Sequence, residues 1–357
     1  MLEEIKKEAA NAAKTEEVIS EKNPVQFNEQ ETREPNRRLV LSKSSEPTSE
    51  IPQRKTEIRV TATIFPKEPI DIPIEFFETL NSLEKSLGLP IWLLAQRDNG
   101  IDSLDYMSDE LVSVLMENKE HLLSGKRMAV VVDSPGGTAK CAFQLAKLFS
   151  KSSGGFLAIV PRYAKSAATL LSLGADKIML GKDAELGPLD AQLYDPERED
   201  SLSALDEVQA LERLHAFALE AVDRSMILML SRCGKKMDTL LPLALKFVSD
   251  MMRPLLEKID AIHYTQMSRA LKVAEEYAIR LLRPRFPRNK AEEIARKLVE
   301  DYPEHGFVID YEECKDIGLH IVEPDSAQTD MLNKLYKYLG KVTLIGQIKQ
   351  AGENEKD

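Results

Sequence analysis

The chain has 357 residues, of which 43% are hydrophobic and 30% charged; these fractions are typical of a soluble globular protein and name no function. A net charge of −11, from 48 basic and 59 acidic side chains, opposes attraction to nucleic acid or anionic lipid and argues against both as partners. Three cysteines lie far apart without metal-ligand spacing, which indicates reduced thiols that pack rather than react.

The N-terminal region, residues 1–56, is predicted to be a mobile tail. From Lys14 to about Arg54 it is mostly polar, so it cannot bury enough apolar surface to offset its ordering entropy. The first residues lack the apolar run of a secretory signal, and no stretch of about 18 apolar residues would span a bilayer. We therefore expect a cytoplasmic protein with no membrane span.

Four short apolar runs follow, and each is typical of a buried strand. They are residues 89–95, 128–132, 156–160 and 177–180. A helix is predicted before the first run, from Pro73 to Leu87, and helical spacing also separates the later runs. Strands that alternate with helices indicate crossover connections, so the sequence predicts an α/β fold with a mainly parallel sheet.

The pattern changes after the fourth strand, and this change sets the expected domain boundaries. Residues 57–200 form the predicted core, and residues 201–282 are almost wholly helical in character, as in a helical insertion or oligomerisation arm. Residues 283–345 are expected to complete the core, and residues 346–357 to form a second tail.

Two strand-turn-helix units carry the groups most suggestive of chemistry. In the first, Gly136 and Gly137 follow a buried strand, where a glycine pair can leave backbone N–H groups facing a bound carbonyl. In the second, Ser166 stands at the start of a helix, where its hydroxyl can attack and where the helix dipole favours a nearby anion. Together the two turns suggest acyl-transfer chemistry.

The order of four motifs resembles a known family. They are Asp-Ser-Pro-Gly-Gly from Asp133, Tyr-Ala-Lys-Ser-Ala-Ala-Thr from Tyr163, Gly-Ala-Asp-Lys-Ile-Met-Leu-Gly from Gly174 and Glu-Leu-Gly-Pro-Leu-Asp-Ala-Gln from Glu185. This order is similar to that of the serine dehydrogenase proteinase family, in the ClpP/crotonase superfamily beside the signal peptide peptidase A group.

The resemblance implies a ClpP/crotonase-like spiral of ββα units, assembled into homo-oligomers, with a helical insertion in this chain. It assigns the nucleophile to Ser166, the oxyanion-binding turn to Gly136 and Gly137, and a further oxyanion- or substrate-binding role to Ala167. Two further residues, Asp190 and Gln192, either line the substrate cleft or belong to a rigid turn whose aspartate caps a helix. Lys165 and Ala168 depart from the residues common in relatives, and Lys165 is expected to point into solvent.

The resemblance leaves the general base open. No histidine lies one strand and a turn after Ser166, where the Clp peptidases place theirs, so a Ser-Lys pair like that of the signal peptide peptidase group is expected. Lys272 is the predicted base. Lys235, Lys236 and Lys246 are its rivals. His305 matches a histidine of the family that we interpret as structural, with service as a base the lesser alternative.

The sequence thus predicts a serine peptidase acting on a peptide or protein substrate, with no metal or organic cofactor. No lysine accompanies a phosphate-binding glycine loop, as pyridoxal-phosphate chemistry would require. One alternative is an acyl-CoA hydratase or isomerase of the same fold, with Glu185 or Asp190 as base. Another is a scaffold without catalytic activity, in which residues 201–282 recruit partners.

Overall fold

The computed structural model describes residues 56–122, 127–190, 192–195 and 200–351. Nearly all of the predicted mobile tail, residues 1–56, lies outside these ranges. The strands in chain order are β1 (Glu57–Ala62), β2 (Ile70–Pro73), β3 (Ile91–Ala95), β4 (Met128–Asp133), β5 (Phe156–Val160), β6 (Tyr163–Ala164), β7 (Lys177–Leu180), β8 (Glu185–Leu186), β9 (Gln192–Asp195), β10 (Asp200–Ser203), β11 (Ile321–Val322), β12 (Leu344–Gly346) and β13 (Ile348–Gln350).

The helices connect these strands and also form a long excursion after β10. They are α1 (Ile74–Leu87), α2 (Asp109–Glu117), α3 (Lys119–Leu122), α4 (Ala139–Ser153), α5 (Ala167–Leu173), α6 (Ala204–Cys233), α7 (Met237–Leu256), α8 (Ala261–Leu282), α9 (Arg288–Arg296), α10 (Tyr311–Ile317) and α11 (Ser326–Tyr336). A π-helical segment, Lys297–Asp301, directly follows α9.

The main sheet has six strands in the order β11-β7-β5-β4-β3-β12. The first five are parallel to one another, and β12 is antiparallel to β3 at the edge. The four apolar runs of the sequence are β3, β4, β5 and β7, each displaced from its predicted bounds by at most two residues. The α/β class with a mainly parallel sheet is therefore confirmed.

The core lies on both faces of this sheet, which explains why its strands are continuously apolar. Along β4, Val130 and Val132 pack into one cluster with α4 and α5, whereas Ala129 and Val131 pack into the other with α1 and α11. Side chains of successive strand residues point to opposite faces, so a strand covered on both sides needs an apolar residue at every position.

The helical excursion is formed by α6, α7 and α8. The segment predicted as a helical insertion, residues 201–282, begins with the last three residues of β10 and otherwise corresponds to these three helices. Asp260 caps α8 by accepting hydrogen bonds from the N–H groups of Ile262 and His263. None of the described helices combines the length and apolarity needed to cross a bilayer.

The C-terminal strands extend the structure into the segment predicted as a second tail, residues 346–357. Strand β13 pairs antiparallel with β1, with Val60 opposite Gln350. Pairing with β1 gives the segment's backbone N–H and C=O groups hydrogen-bond partners, although Lys349 and Gln350 are exposed.

Candidate active site

The two predicted turns lie side by side, at the carboxyl ends of β4 and β5. The Ser134 N–H donates to the Tyr163 carbonyl over 3.2 Å, and the Lys165 N–H donates to the Ser134 carbonyl over 3.1 Å. These hydrogen bonds continue the pairing of β4 past the end of the main sheet and along β6. The segment that leads to Ser166 is thereby held directly beside the glycine turn.

The glycine pair makes this close approach possible. A Cβ atom on Gly136 would lie 2.7 Å from the Lys165 carbonyl oxygen and 3.0 Å from Ser166 Cβ, and a Cβ on Gly137 would lie 2.5 Å from the Met107 carbonyl oxygen. Both glycines also have positive φ, 107° and 139°. Only glycine meets both conditions, the backbone conformation and the absence of a side chain.

Ser166 has a strained backbone. Its φ of 49° and ψ of −117° are unusual for any residue with a Cβ, and such conformations cost about 1–3 kcal/mol. Ser166 precedes α5 at the N-cap position, yet its hydroxyl makes no capping hydrogen bond. The half-buried side chain instead lines a cavity, so the hydroxyl is available to a ligand.

Two backbone N–H groups beside Ser166 have no hydrogen-bond acceptor within the described residues. They belong to Gly137 and Ala167. The Gly136 N–H differs, because it donates to Ser134 Oγ over 3.1 Å. The prediction that Gly136 and Gly137 together bind the oxyanion is therefore not supported for Gly136; Ala167 supplies the second available donor.

His305 and Asp190 lie in the same cavity as Ser166. His305 Nδ1 lies 3.9 Å from Asp190 Oδ2 and is buried without a hydrogen-bond partner among the described residues. The Asp190 carboxylate accepts from the Leu205 N–H over 3.2 Å. Burial lowers the pKa of His305, although the Asp190 carboxylate acts in the opposite direction. Burial also raises the pKa of Asp190.

Backbone pairing places His305 in the same cavity as Ser166 despite a separation of 139 residues in the chain. Leu186 and Ile309 exchange hydrogen bonds of 2.9 and 3.1 Å, and the Leu189 N–H donates to the Leu298 carbonyl over 2.8 Å. These contacts fix the loop carrying His305 against the segment that ends in Asp190. The pairing of distant segments explains why chain order alone did not place His305 in the same cavity as Ser166.

The cavity around Ser166 has a volume of about 840 Å³, within the range of small-ligand and peptide sites. Gly137 and Thr138 line it together with residues of α8 such as Ala270 and Ala274. The helical excursion therefore contributes directly to the site.

An ion-pair network lies beside the segment that leads to Ser166. The Arg162 guanidinium donates to the Asp133 carboxylate over 2.9 and 2.8 Å and also binds Asp98. The Asp133 side chain is fully buried, and the Arg162 side chain is 12% exposed. Tyr163, three residues before the nucleophile, donates its hydroxyl to Asp98. The network links the ends of β4 and β5 to the segment that positions Ser166.

Lys272, the predicted base, does not line the Ser166 cavity. Lys272 lies on α8 but outside the cavity lining; its side chain is 68% exposed and its Nζ is 2.6 Å from Glu275 Oε2. That hydrogen bond raises the pKa of Lys272, whereas a base needs a lowered one. Its rivals are likewise exposed: Lys235 and Lys236 lie between α6 and α7, and Lys246 lies on α7.

Lys165 does not point into solvent as expected. Its side chain is 18% exposed, and its Nζ lies 2.8 Å from Glu185 Oε1 and 3.4 Å from the Phe307 carbonyl oxygen. Glu185, the alternative carboxylate base, is thus engaged in an ion pair and does not line the cavity. Gln192 begins β9, which pairs with β10. No described residues form a group of three or more potential metal ligands.

The part of the chain that holds both turns is similar to a known protein family. A family model described as ClpP-like SDH-type serine proteinase matches residues 114–232, which include both turns and Asp190. Over this stretch the chain is similar to the ClpP-like serine proteinases. The resemblance inferred from the four motifs is therefore confirmed at the family level. His305 lies outside the matched stretch.

Two proteins of Methanocaldococcus jannaschii are similar in sequence, and neither name states an activity. Uncharacterized protein MJ0137 of Methanocaldococcus jannaschii is 26% identical over 63% of this chain and 66% of its own length. Uncharacterized protein MJ1495 of the same organism is 22% identical over 73% of this chain and 74% of its own length. Among solved structures, ClpP1 from Listeria monocytogenes aligns over 69% of this chain and 98% of its own, with 10% identity and a TM-score of 0.32. A point mutant of that protein aligns with 11% identity and a TM-score of 0.33.

Proposed function

We propose that this protein is a serine peptidase whose nucleophile is Ser166. The observation that carries the proposal is the convergence of the two turns, with the Ser166 hydroxyl beside the available N–H groups of Gly137 and Ala167 in one cavity. The family match supports the same class of activity.

In the proposed reaction, the Ser166 hydroxyl attacks the carbonyl carbon of a peptide bond. His305 accepts the hydroxyl proton, and the Gly137 and Ala167 N–H groups stabilise the negative charge that develops on the carbonyl oxygen. His305 then gives the proton to the departing amine, which leaves an acyl group on Ser166. Water activated by His305 hydrolyses this ester. Asp190 orients the imidazole, and its contact with His305 shortens when the imidazolium forms.

The assignment of His305 as base has three supports. It is the only histidine among the described residues that line the Ser166 cavity. Its lowered pKa keeps the imidazole neutral at pH 7 and thus able to accept a proton. Its neighbour Asp190 is 2% exposed and lies on the Nδ1 side, which leaves Nε2 for the hydroxyl.

A pH profile tests this base. The imidazole must be neutral to act, so kcat/KM should rise with pH, and its half-maximal point should lie below the ordinary histidine value of 6.5 because the pKa of His305 is lowered. His305→Ala should remove this limb and lower kcat/KM by about 10²–10⁴-fold. His121→Ala, in an exposed part of α3, is the matched control and should leave the profile unchanged.

If kcat/KM of His305→Ala still rises with pH as in the wild type, His305 is not the base. Lys165 would then be the next candidate, since its amine is the lysine group nearest the nucleophile in sequence and is mostly removed from solvent. In that case Lys165→Met, rather than His305→Ala, would abolish hydrolysis while Ser166 still reacted with strong acylating agents.

We also propose that the helical excursion mediates self-association. Of the exposed large apolar side chains in the described residues, many lie between Phe217 and Ile262, among them Leu243 and Phe247 at 56% and 58% exposure. An apolar cavity of about 570 Å³ also opens between α6 and α7. A surface with this many exposed apolar side chains is typical of one that another protein chain covers.

Substitutions on α7 test this association. Leu243→Glu combined with Phe247→Glu places two charges on the apolar surface and should reduce the molar mass measured by size exclusion with light scattering. Lys246→Glu also changes the charge of an exposed residue of α7 and should leave the mass unchanged. A wild type that is monomeric at micromolar concentration would contradict the proposal.

A further inference from the structure

The charged side chains that line the Ser166 cavity are unequally available to a substrate. Lys140 is paired with Asp109 over 2.8 Å, and the Asp190 carboxylate is buried and accepts from the Leu205 N–H. His305 faces Asp190. The remaining charged group of the lining is Arg269 on α8.

Arg269 makes no ion pair or hydrogen bond within the described part of the chain, and its side chain is exposed. The cause lies in the sequence of α8. Residues three and four positions away on a helix are the nearest neighbours, and at Arg269 these are Thr265, Gln266, Lys272 and Val273, none of them acidic. The other arginine of α8, Arg280, pairs with Glu276. Arg269 is therefore an uncommitted guanidinium facing the nucleophile's cavity.

Two of the charged side chains of the lining, Lys140 and Arg269, are basic and one, Asp190, is acidic, in a chain of net charge −11. Ala139 and Lys140 of the lining form the first turn of the 15-residue helix α4, whose N-terminal end carries a partial positive charge. The carboxylate of the lining that could cancel this charge, Asp190, is only 2% exposed. A ligand carboxylate would thus meet attraction at this site and little repulsion.

We infer that the site selects peptides with an acidic side chain close to the scissile bond, and that Arg269 binds that carboxylate. A guanidinium matches a carboxylate with two parallel hydrogen bonds, which gives orientation as well as attraction. The inference rests on the proposed peptidase function, because it assigns the substrate class of the same cavity. Arg269 acts in specificity and takes no part in bond cleavage.

Retention of peptides by an inactive protein tests the inference independently of turnover. Full-length Ser166→Ala protein is immobilised, a proteome-derived peptide library is passed over it, and retained peptides are sequenced by mass spectrometry. Peptides with Asp or Glu should be enriched about fivefold over the input, the scale of one solvent-accessible ion pair. Arg269→Glu in the same background should abolish this enrichment and favour Lys or Arg instead. Arg280→Glu is the matched control, since Arg280 lies on α8 outside the cavity, and it should retain the acidic preference.

Retention without acidic enrichment, enrichment that survives Arg269→Glu, or no retention at all would overturn the inference. Cleavage of the same library by the wild type reports separately on the proposed function. Ser166-dependent cleavage at sites without neighbouring acidic residues would leave the peptidase proposal intact and overturn the specificity. Absence of Ser166-dependent cleavage would overturn the peptidase proposal, and peptide retention would still decide whether Arg269 binds carboxylates.

Discussion

Ser166→Ala should lower peptide hydrolysis on the order of 10⁴–10⁶-fold, because the bond to the acyl group can no longer form. The substitution removes one oxygen from a half-buried side chain that makes no capping hydrogen bond, so the fold should persist. The measurement is kcat/KM on a fluorogenic peptide library, together with labelling by a fluorophosphonate probe.

Ser172→Ala is the matched control for this experiment. Ser172 lies on the same helix, α5, but its buried hydroxyl donates to the Ala168 carbonyl and does not line the cavity. Hydrolysis and labelling should survive its loss. Activity on an acyl-CoA thioester that survived Ser166→Ala would instead indicate a hydratase or isomerase, which needs no nucleophile. A wild type that neither reacts with the probe nor cleaves any peptide would indicate a scaffold.

Arg162→Met should lower the free energy of unfolding by about 3–5 kcal/mol, because it leaves the fully buried Asp133 carboxylate without its cation. Activity should fall as well, since Arg162 and Asp98 hold the segment that leads from Tyr163 to Ser166. Urea unfolding followed by circular dichroism measures the stability, and probe labelling of the folded variant measures the site.

The double variant Asp133→Asn with Arg162→Met separates the buried charge from the loss of packing. Removing both charges takes away the uncompensated carboxylate, so the double variant should be more stable than Arg162→Met alone. Arg224→Ala, which breaks an exposed ion pair with Glu220 on α6, should change stability little. A single Arg162 variant as stable as wild type would show that the network does not support the turn.

The sequence was sufficient for the main sheet because its strands are buried on both faces and therefore read as continuous apolar runs. It was also sufficient for the convergence of the two turns: parallel strands bring their carboxyl ends to one edge, and Gly136, Gly137 and Ser166 each follow such a strand.

The position of His305, the proposed general base, could not be derived in the same way. Its position depends on the pairing of Leu186 with Ile309, a long-range contact that no local pattern records. The resemblance to the signal peptide peptidase group predicts a lysine base on α8, but helical spacing places Lys272 one position beyond Leu271 and away from the buried face. The hydrogen bond from the Gly136 N–H to Ser134 Oγ could not be predicted for a different reason: it is a side-chain contact within the turn.

The structure of a phosphonylated protein tests the central claim most directly. After reaction with a fluorophosphonate, a crystal structure should show the phosphorus bonded to Ser166 Oγ, with one phosphonyl oxygen about 2.7–3.1 Å from the backbone nitrogens of both Gly137 and Ala167. An adduct on any other residue, or a phosphonyl oxygen on Ser166 that contacts neither nitrogen, would contradict the account.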